Sequence, residues 1–234
     1  MFAANGRICV ITFEQAGFSY GRNSILNGIT QELAPGSFHF LTGPSGAGKT
    51  TLLKLCYLAL RPTAGTVKLF GQDVSKLSRD RVAEMRRRIG VVHQDCQFLD
   101  HQTVRANIEL PMKVGGRNIQ KNRSNVDDLL SWVGLTKRGD ALPPELSGGE
   151  RQRLAVARAV IMAPEIIIAD EPTGNVDWEM GHRLLTLLVE LNKMGKTIII
   201  ASHDMNLIRA AKSMATTRVM RLVKGQLVAA GADL

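Results

Sequence analysis

The residues with the clearest chemical potential form one glycine-rich segment, GPSGAGKT, at positions 43–50. It matches the phosphate-binding pattern G-x-x-x-x-G-K-[ST], in which successive backbone N–H groups surround a β-phosphate. Lys49 would bring a point charge to the β- and γ-phosphates, and Thr50 would place its hydroxyl on Mg²⁺. The residues expected to bind the phosphates are Gly43, Pro44, Ser45, Gly46, Ala47, Gly48, Lys49, Thr50 and Thr51.

Two adjacent carboxylates follow a second informative segment, the aliphatic run from Ile166 to Ala169. Ligands of open parallel sheets bind beyond the carboxyl ends of the strands, so Asp170 is expected near the Mg²⁺ of the phosphate loop. Glu171 would point elsewhere and is the candidate to polarise an attacking water. Such a pair often only begins a solvated loop, but the phosphate loop in the same chain favours a catalytic interpretation.

A second anion-binding element is predicted about 100 residues after the first, at Leu146-Ser147-Gly148-Gly149-Glu150. Ser147 and Glu150 have the spacing of a capping box, and the helix N-terminus carries roughly half a positive charge. Gly148 and Gly149 are expected to leave the preceding backbone N–H groups uncovered. An ordinary well-capped helix is the alternative interpretation.

Short aliphatic segments alternate with helical patterns and must position these residues. The segments are unalternated and bounded by Gly, Pro or charges, which indicates strands buried on both faces of a parallel sheet. They are Phe38–Thr42, Ile89–Val92, Ile166–Ala169 and Thr197–Ala201. Between the last two, a helical face is predicted from Leu184, Leu187, Leu188 and Leu191, which indicates a strand–helix–strand crossover.

The remaining segments predict two additions to this sheet. Short apolar stretches at Ile8–Phe13, Phe18–Tyr20 and Gly65–Gly71 suggest a small antiparallel layer. The polar, mostly helical stretch from Thr103 to Leu142 resembles an inserted helical lobe. We therefore expect one domain, with residues 1–94 and 163–234 forming the core and residues 95–162 the helical part.

Charge and hydropathy limit the function classes. Lys and Arg number 30 and Asp and Glu 21 among 234 residues, a formal net charge of +9 that favours an acidic partner. The longest apolar run has six residues, Leu55–Leu60, so neither a membrane span nor a secretory signal is expected. Nucleic acid is not expected as the partner, because no basic stretch is interleaved with aromatic residues. The separated cysteines are expected to be reduced and mostly buried.

The phosphate loop, LSGGE and IIIADE, in this order, resemble the nucleotide-binding subunits of ABC-type ATPases over essentially the whole chain. The resemblance implies an α/β P-loop NTPase core with a mainly parallel sheet, an N-terminal antiparallel β layer and an inserted helical subdomain. It also implies that Tyr20 stacks on adenine, that Gln94 contacts metal and attacking water, and that His203 contacts the γ-phosphate. Asp177, at the end of Gly174-Asn175-Val176-Asp177, would lie in a dimer-contact loop.

In this family two copies bind two ATP molecules head to tail. The resemblance therefore implies a homodimer that forms on ATP binding, with ATP and Mg²⁺ as cofactors. The signature residues Ser147, Gly148, Gly149 and Glu150 would act on ATP held by the other copy. The implied catalytic residues are Glu171, His203 and Gln94, and the implied metal ligands are Thr50, Gln94 and Asp170.

Within the family the chain most resembles the cell-division ATP-binding proteins, notably at Arg61–Gly65, Asp95–Leu99 and Ala169–Asp177. That resemblance implies an FtsX-like integral membrane subunit as the partner and control of cell-wall hydrolysis as the function. It also implies residence on the inner membrane at the division site. The basic net charge would favour the anionic surface of that membrane. Lipoprotein-release or macrolide-export ATPases are the alternative, and an ATP-gated scaffold and a nucleic-acid-acting ATPase are rival classes. His93 departs from the aromatic residue often found there, and three histidines match no motif: His39, His101 and His182.

Overall fold

The structure is a computed structural model that describes residues 9–174 and 177–228. Ten β-strands and seven α-helices alternate along these residues. The strands are β1 (Ile11–Tyr20), β2 (Asn23–Leu33), β3 (Phe38–Thr42), β4 (Ala64–Leu69), β5 (Gln72–Asp73), β6 (Ile89–Val92), β7 (Ile166–Asp170), β8 (Thr197–Ala201), β9 (Thr217–Val223) and β10 (Gln226–Val228). The helices are α1 (Lys49–Cys56), α2 (Arg79–Arg86), α3 (Val104–Val114), α4 (Arg123–Trp132), α5 (Gly148–Val160), α6 (Trp178–Lys193) and α7 (Met205–Met214).

The larger sheet has the strand order β10-β9-β3-β8-β7-β6 and is parallel except for β10. Strands β3, β8 and β7 lie inside this sheet, and β6 lies at its edge. These four strands are the predicted aliphatic segments, so the prediction is confirmed. Successive side chains point to opposite faces: Ile199 joins the core cluster on the α1 side, whereas Ile198 and Ile200 join the cluster under α6 and α7. Burial on both faces explains why these strands are aliphatic throughout.

The crossover between β7 and β8 is confirmed, with α6 as its helix. Leu184, Leu188 and Leu191 are buried as predicted, while Leu187 is only partly buried and packs against the helical lobe. Leu185 and Val189 are buried as well. The apolar stripe is therefore wider than the predicted face, because α6 packs on both the sheet and a neighbouring helix.

The antiparallel layer is confirmed as a four-stranded sheet of order β2-β1-β4-β5. The two short N-terminal segments were expected to be separate strands, and this is wrong: Ile11–Tyr20 is one strand with register shifts between Phe13 and Ser19. The shifts break the alternation of buried and exposed residues that would have revealed a continuous strand. Ile8, which began the first predicted segment, lies outside the described residues.

Two C-terminal strands were not predicted. β9 lies beside β3 in the larger sheet, and β10 pairs with it at the edge. Arg218 and Arg221 interrupt the apolar pattern of β9 and are both exposed. A strand with charged residues near a sheet edge does not show the continuous apolar run that identified the others.

The helical lobe contains α3, α4 and most of α5, and it has its own apolar cluster. That cluster joins residues from Val104 to Ile161, including Ile108, Leu130 and Leu154. Phe98 and Trp132 pack against both this cluster and the one beneath α6 and α7. The separate cluster fits a helical part at residues 95–162, a division that we retain as a proposal. Ala155 and Val156 of α5 belong to the cluster beneath α6 and α7 and join this part to the core.

One histidine with no motif, His39, is buried in the middle of β3. Its Nε2 lies 2.8 Å from the Ser37 hydroxyl, which donates its own proton to the Ala34 carbonyl at 2.6 Å. Nε2 must therefore carry the proton, and Nδ1 is buried with no hydrogen-bond partner among the described residues. Burial, with a smaller effect from Arg218, lowers the pKa of His39 to about 4.

We expect His39 to make the folded state sensitive to acid. Because its folded pKa lies below its ordinary value of 6.5, the neutral form is favoured on folding, and stability is lost as pH falls from 6.5 toward 4. The loss at pH 5 is on the order of 2 kcal/mol in the free energy of unfolding. Urea unfolding at pH 7 and pH 5 should show this loss, and H39Q should reduce it.

The matched control is H101Q, which changes an exposed histidine. It should keep the wild-type difference between the two pH values. An unchanged difference in H39Q would show that other groups cause the acid sensitivity.

Candidate active site

A cavity of about 680 Å³ lies beyond the carboxyl ends of the parallel strands. Loops after β3, β6, β7 and β8 all reach it, as expected for an open parallel sheet. Its lining residues are Ile25, Gly43, Pro44, Ser45, Gly46, Gly48, Lys49, Thr50, Thr51, Gln94, Asp170, Glu171, Gly174 and His203. The structure thus brings together the predicted phosphate loop, carboxylate pair, glutamine and histidine.

The phosphate loop requires glycine at specific positions. Gly46 and Gly48 have φ angles of 75° and 102°, which side chains rarely adopt. At Gly43, with φ 148°, a Cβ would lie 2.2 Å from the Leu222 carbonyl oxygen of β9. The Ala47 side chain packs in the core instead of lining the cavity. The loop therefore presents backbone rather than side chains, as phosphate binding demands.

Lys49 is the first residue of α1, and its ammonium group is held inside the loop. Its Nζ donates to the carbonyls of Gly43 at 2.9 Å and Pro44 at 3.3 Å. Glu171 Oε1 lies 3.9 Å away. Only 12% of the Lys49 side chain is exposed, so its charge acts in a partly desolvated setting where electrostatic interactions are strengthened.

Glu171 is directed into the cavity by an unusual backbone. Its φ of 46° is left-handed, and its N–H donates to the Ala201 carbonyl at 2.9 Å. Asp170 and Glu171 both line the cavity. Glu171 Oε2 lies 3.0 Å from Nδ1 of His203, which follows β8 and is largely exposed. A backbone conformation of this kind costs roughly 1–3 kcal/mol, and such strained residues cluster at functional sites.

Asp170, the last residue of β7, is partly buried beside Thr50 and is the better candidate for a metal ligand. Burial raises its pKa, the Glu171 charge raises it further, and a hydrogen bond from the Thr50 hydroxyl and the Lys49 charge oppose this. Such a carboxylate gains from a cation nearby. Together with the oxygens of Thr50 and Gln94, it forms a donor set that fits Mg²⁺, which uses few protein ligands besides phosphate and water.

No group of three or more His, Cys, Asp or Glu side chains that could hold a metal occurs in residues 9–174 and 177–228. The oxygen donors at the phosphate loop form a different kind of site, in which the nucleotide supplies much of the coordination.

The signature segment lies outside this cavity. Ser147 caps α5: its Oγ accepts from the Glu150 N–H at 3.3 Å, and Glu150 Oε2 accepts from the Ser147 N–H at 2.8 Å. That second bond is the main cause of the lowered pKa of Glu150. The capping box is therefore present, and residues 147–150 are not among the described residues that line the cavity.

The two signature glycines lie in different surroundings. Gly148 is exposed, but Gly149 is buried beneath Met180 of α6, and a Cβ on Gly149 would lie 2.6 Å from the Met180 Cε. A side chain larger than hydrogen at position 149 would therefore collide with Met180. Sequence reasoning missed Met180, because a contact between residues of two different helices leaves no local pattern.

Two further site residues occupy exposed positions. Tyr20 is the last residue of β1, is 47% exposed and packs edge-to-face on Phe18. Among the described residues, the cavity lining includes Ile25 and not Tyr20, and the sequence did not indicate Ile25. Asp177 caps α6, its Oδ1 accepting from the Met180 N–H at 2.8 Å. Asn175 and Val176, the middle of the dimer-contact loop, lie outside the described residues.

A glycine-rich loop between the parallel strand β3 and helix α1, with a carboxylate pair at the end of β7, the next strand but one in the same sheet, defines a P-loop ATPase. The model of the ABC transporter family matches residues 26–174, and the chain belongs to this family. It binds and hydrolyses ATP as an ABC-type ATPase.

Its relatives narrow the subfamily. The chain is 40% identical over 219 residues to the cell division ATP-binding protein FtsE of Escherichia coli K12, covering 93% of this chain and 97% of that protein. Identity to FtsE of Mycobacterium tuberculosis is 38% over 203 residues, covering 87% and 86%. The dimeric bacterial ABC transporter cassette MJ0796 superposes with a TM-score of 0.84 at 30% identity, covering 94% and 97%. The chain is thus an FtsE-like ABC ATPase.

Among the described residues, none of the helices combines the length and the apolar character required to cross a membrane.

Proposed function

We propose that this chain is the ATPase subunit of a membrane-bound division complex that works as a homodimer around two ATP molecules. The observation that carries the dimer is the separation of its two phosphate-reading elements. The cavity at Lys49 is complete except for the signature, whose helix N-terminus lies outside it. A second copy placed head to tail would supply Ser147 and Gly149 to each nucleotide, and the dimeric form of MJ0796 supports this arrangement.

Within each site the residues divide the chemistry. Lys49 and the N–H groups of the phosphate loop bind the β- and γ-phosphates. Bound Mg²⁺, held by Thr50, Gln94 and Asp170, would neutralise charge on the phosphate oxygens. Glu171 accepts a proton from the attacking water, and His203 orients Glu171 and contacts the γ-phosphate.

The remaining nucleotide and dimer contacts complete the proposal. Tyr20 stacks on the adenine from the end of β1, where its ring is already exposed. Asp177 fixes the start of α6 and so the loop that meets the second copy. Closure of the dimer would exclude bulk water from the nucleotide and complete the set of charges around it.

We further propose an FtsX-like integral membrane subunit as the partner, docked on the helical lobe near Gln94. The complex would lie on the cytoplasmic side of the inner membrane at the division site and control cell-wall hydrolysis. The chain is similar to the FtsE proteins of Escherichia coli, Streptococcus pneumoniae and Mycobacterium tuberculosis. This similarity supports the division assignment over a lipoprotein-release or macrolide-export ATPase. Exposed basic residues favour the anionic leaflet, namely Arg209, Lys212, Arg218, Arg221 and Lys224.

The experiment that tests this function is capture of the membrane partner. The E171Q variant, loaded with Mg-ATP, should retain from solubilised native membranes a multi-span protein of the FtsX kind that the ATP-free protein releases. A partner of the lipoprotein-release type would contradict the division assignment. Stimulation of the ATPase by DNA at physiological salt would instead support the nucleic-acid alternative.

A protein-free control separates charge from partner binding. Vesicles with about 30% anionic lipid should bind the protein at low salt and lose it near physiological salt, because surface attraction is screened beyond roughly 8 Å. Neutral vesicles should not bind it. Absence of binding to anionic vesicles at low salt would contradict the proposed role of the basic residues.

A further inference from the structure

The loop that follows Gln94 is connected to the segment before the signature by a single side chain, that of Arg151 on α5. Its Nη1 donates to the carbonyl of Pro143 at 2.9 Å, and its Nη2 to the carbonyl of Cys96 at 3.4 Å. Pro143 precedes Ser147 by four residues, and Cys96 follows Gln94 by two. One planar guanidinium therefore fixes the relative positions of two loops that belong to different phosphate-binding elements.

Other contacts join the same loop to the same helix. Cys96 Sγ donates to Gln152 Oε1 at 3.1 Å, and both residues are buried. The Phe98 ring has the guanidinium carbon of Arg151 at 5.2 Å from its centroid and that of Arg158 at 4.6 Å. Cation–π contacts at these distances are favourable. The loop after Gln94 is thus attached to α5 by a hydrogen bond from Cys96 and by the contacts of Phe98.

The backbone of this loop depends on these contacts. Cys96 has a φ of 41°, a left-handed conformation that costs a residue with a Cβ roughly 1–2 kcal/mol. A strained residue persists only where its surroundings hold it. Here the holding groups are the His93 carbonyl, which accepts from the Cys96 N–H at 3.2 Å, and Arg151 on the Cys96 carbonyl.

We propose that Arg151 is a positioning residue that couples Gln94 in one ATP site to Ser147 and Gly149, which act on the other. This inference rests on the proposed dimer, because only there does the signature meet a nucleotide. Engagement of Gln94 by bound ATP shifts the Cys96 turn, Arg151 carries the shift to Pro143, and the signature is set for the second site. Lysine cannot replace it fully, since an ammonium group lacks the planar fork that spans two carbonyls.

Two measurements on R151A and R151K, made in the E171Q background, test this role. Amide hydrogen exchange, measured at a protein concentration too low for dimers, tests the connection between the two loops within one chain. ATP should slow the exchange of residues 143–150 in the parent. R151A should lose this slowing but keep the protection of the phosphate loop. Sedimentation measures the effect on dimerisation. R151A should need about tenfold more ATP than the parent for half-maximal dimerisation, and the increase for R151K should be smaller. Affinity for a fluorescent ATP analogue at dilute protein should change less than about twofold.

The matched control is R123A, which removes an exposed arginine from α4 of the same lobe and should leave all three readouts unchanged. Wild-type exchange and dimerisation in R151A would overturn the coupling role. A parallel loss of nucleotide affinity and dimerisation would overturn it too, by showing a general structural effect. If the parent never dimerises, the proposed dimer fails, and the exchange measurement still decides whether Arg151 links the two loops.

Discussion

Replacement of Lys49 by alanine is expected to lower ATP turnover by at least about 10²-fold, the cost of removing one preorganised electrostatic contact to a reacting centre. The ammonium group is 12% exposed and sits between two loop carbonyls and Glu171, so no water-exposed cation can substitute for it. Without Lys49 the phosphate loop offers the β- and γ-phosphates its backbone dipoles but no positively charged side chain. Steady-state phosphate release and equilibrium binding of ATP together measure the loss.

The matched control is K54A, which removes a lysine from the last turn of the same helix α1, outside the cavity. It should retain turnover and affinity close to those of the parent. Unchanged rate and unchanged ATP affinity in K49A would show that the loop at residues 43–50 is not the phosphate site. Thermal unfolding of both variants checks that helix α1 still forms.

The elements that carry chemistry could be predicted because their physical requirements are local. A buried parallel strand must be aliphatic on both faces, and a loop that wraps a phosphate must contain glycine at fixed spacing. The four segments Phe38–Thr42, Ile89–Val92, Ile166–Ala169 and Thr197–Ala201 therefore identified the strands that end at the cavity. Convergence of their carboxyl ends then followed from parallel pairing.

The missed features depend on contacts between distant segments. The continuity of β1 is hidden by register shifts, and β9 is hidden by the exposed Arg218 and Arg221. Ile25 lines the cavity only because β2 folds back beside β1. The cover that Met180 places over Gly149 is a helix–helix contact with no sequence period of its own.

Catalysis and simple ATP-gated assembly make different demands on Glu171. A scaffold needs the phosphate loop to bind ATP, but it does not need a carboxylate held at φ 46° within 3.0 Å of His203. Maintaining a left-handed glutamate costs free energy, and a glycine would relieve it. The geometry therefore favours an enzyme over a scaffold that only binds nucleotide.

The E171Q variant is accordingly expected to bind ATP normally and to hydrolyse it about 10²- to 10⁴-fold more slowly, the usual contribution of a general base. An amide keeps the size and the hydrogen-bonding reach of the side chain but cannot accept the proton of the attacking water. Loss of the negative charge also removes repulsion toward the γ-phosphate. A stable dimer of E171Q should therefore accumulate when ATP is present. Sedimentation measures this dimer, in parallel with an assay of phosphate release.

E179Q on α6 is the matched control, since it neutralises an exposed glutamate whose ion pair with Arg183 lies on the surface. Surface pairs contribute little, so its turnover should equal that of the parent and its dimer should remain transient. Hydrolysis by E171Q at the parental rate would assign the base to another group. A slow E171Q variant that stays monomeric with ATP would keep Glu171 as the base and contradict the head-to-tail dimer, because trapping requires that the second copy close over an uncleaved nucleotide.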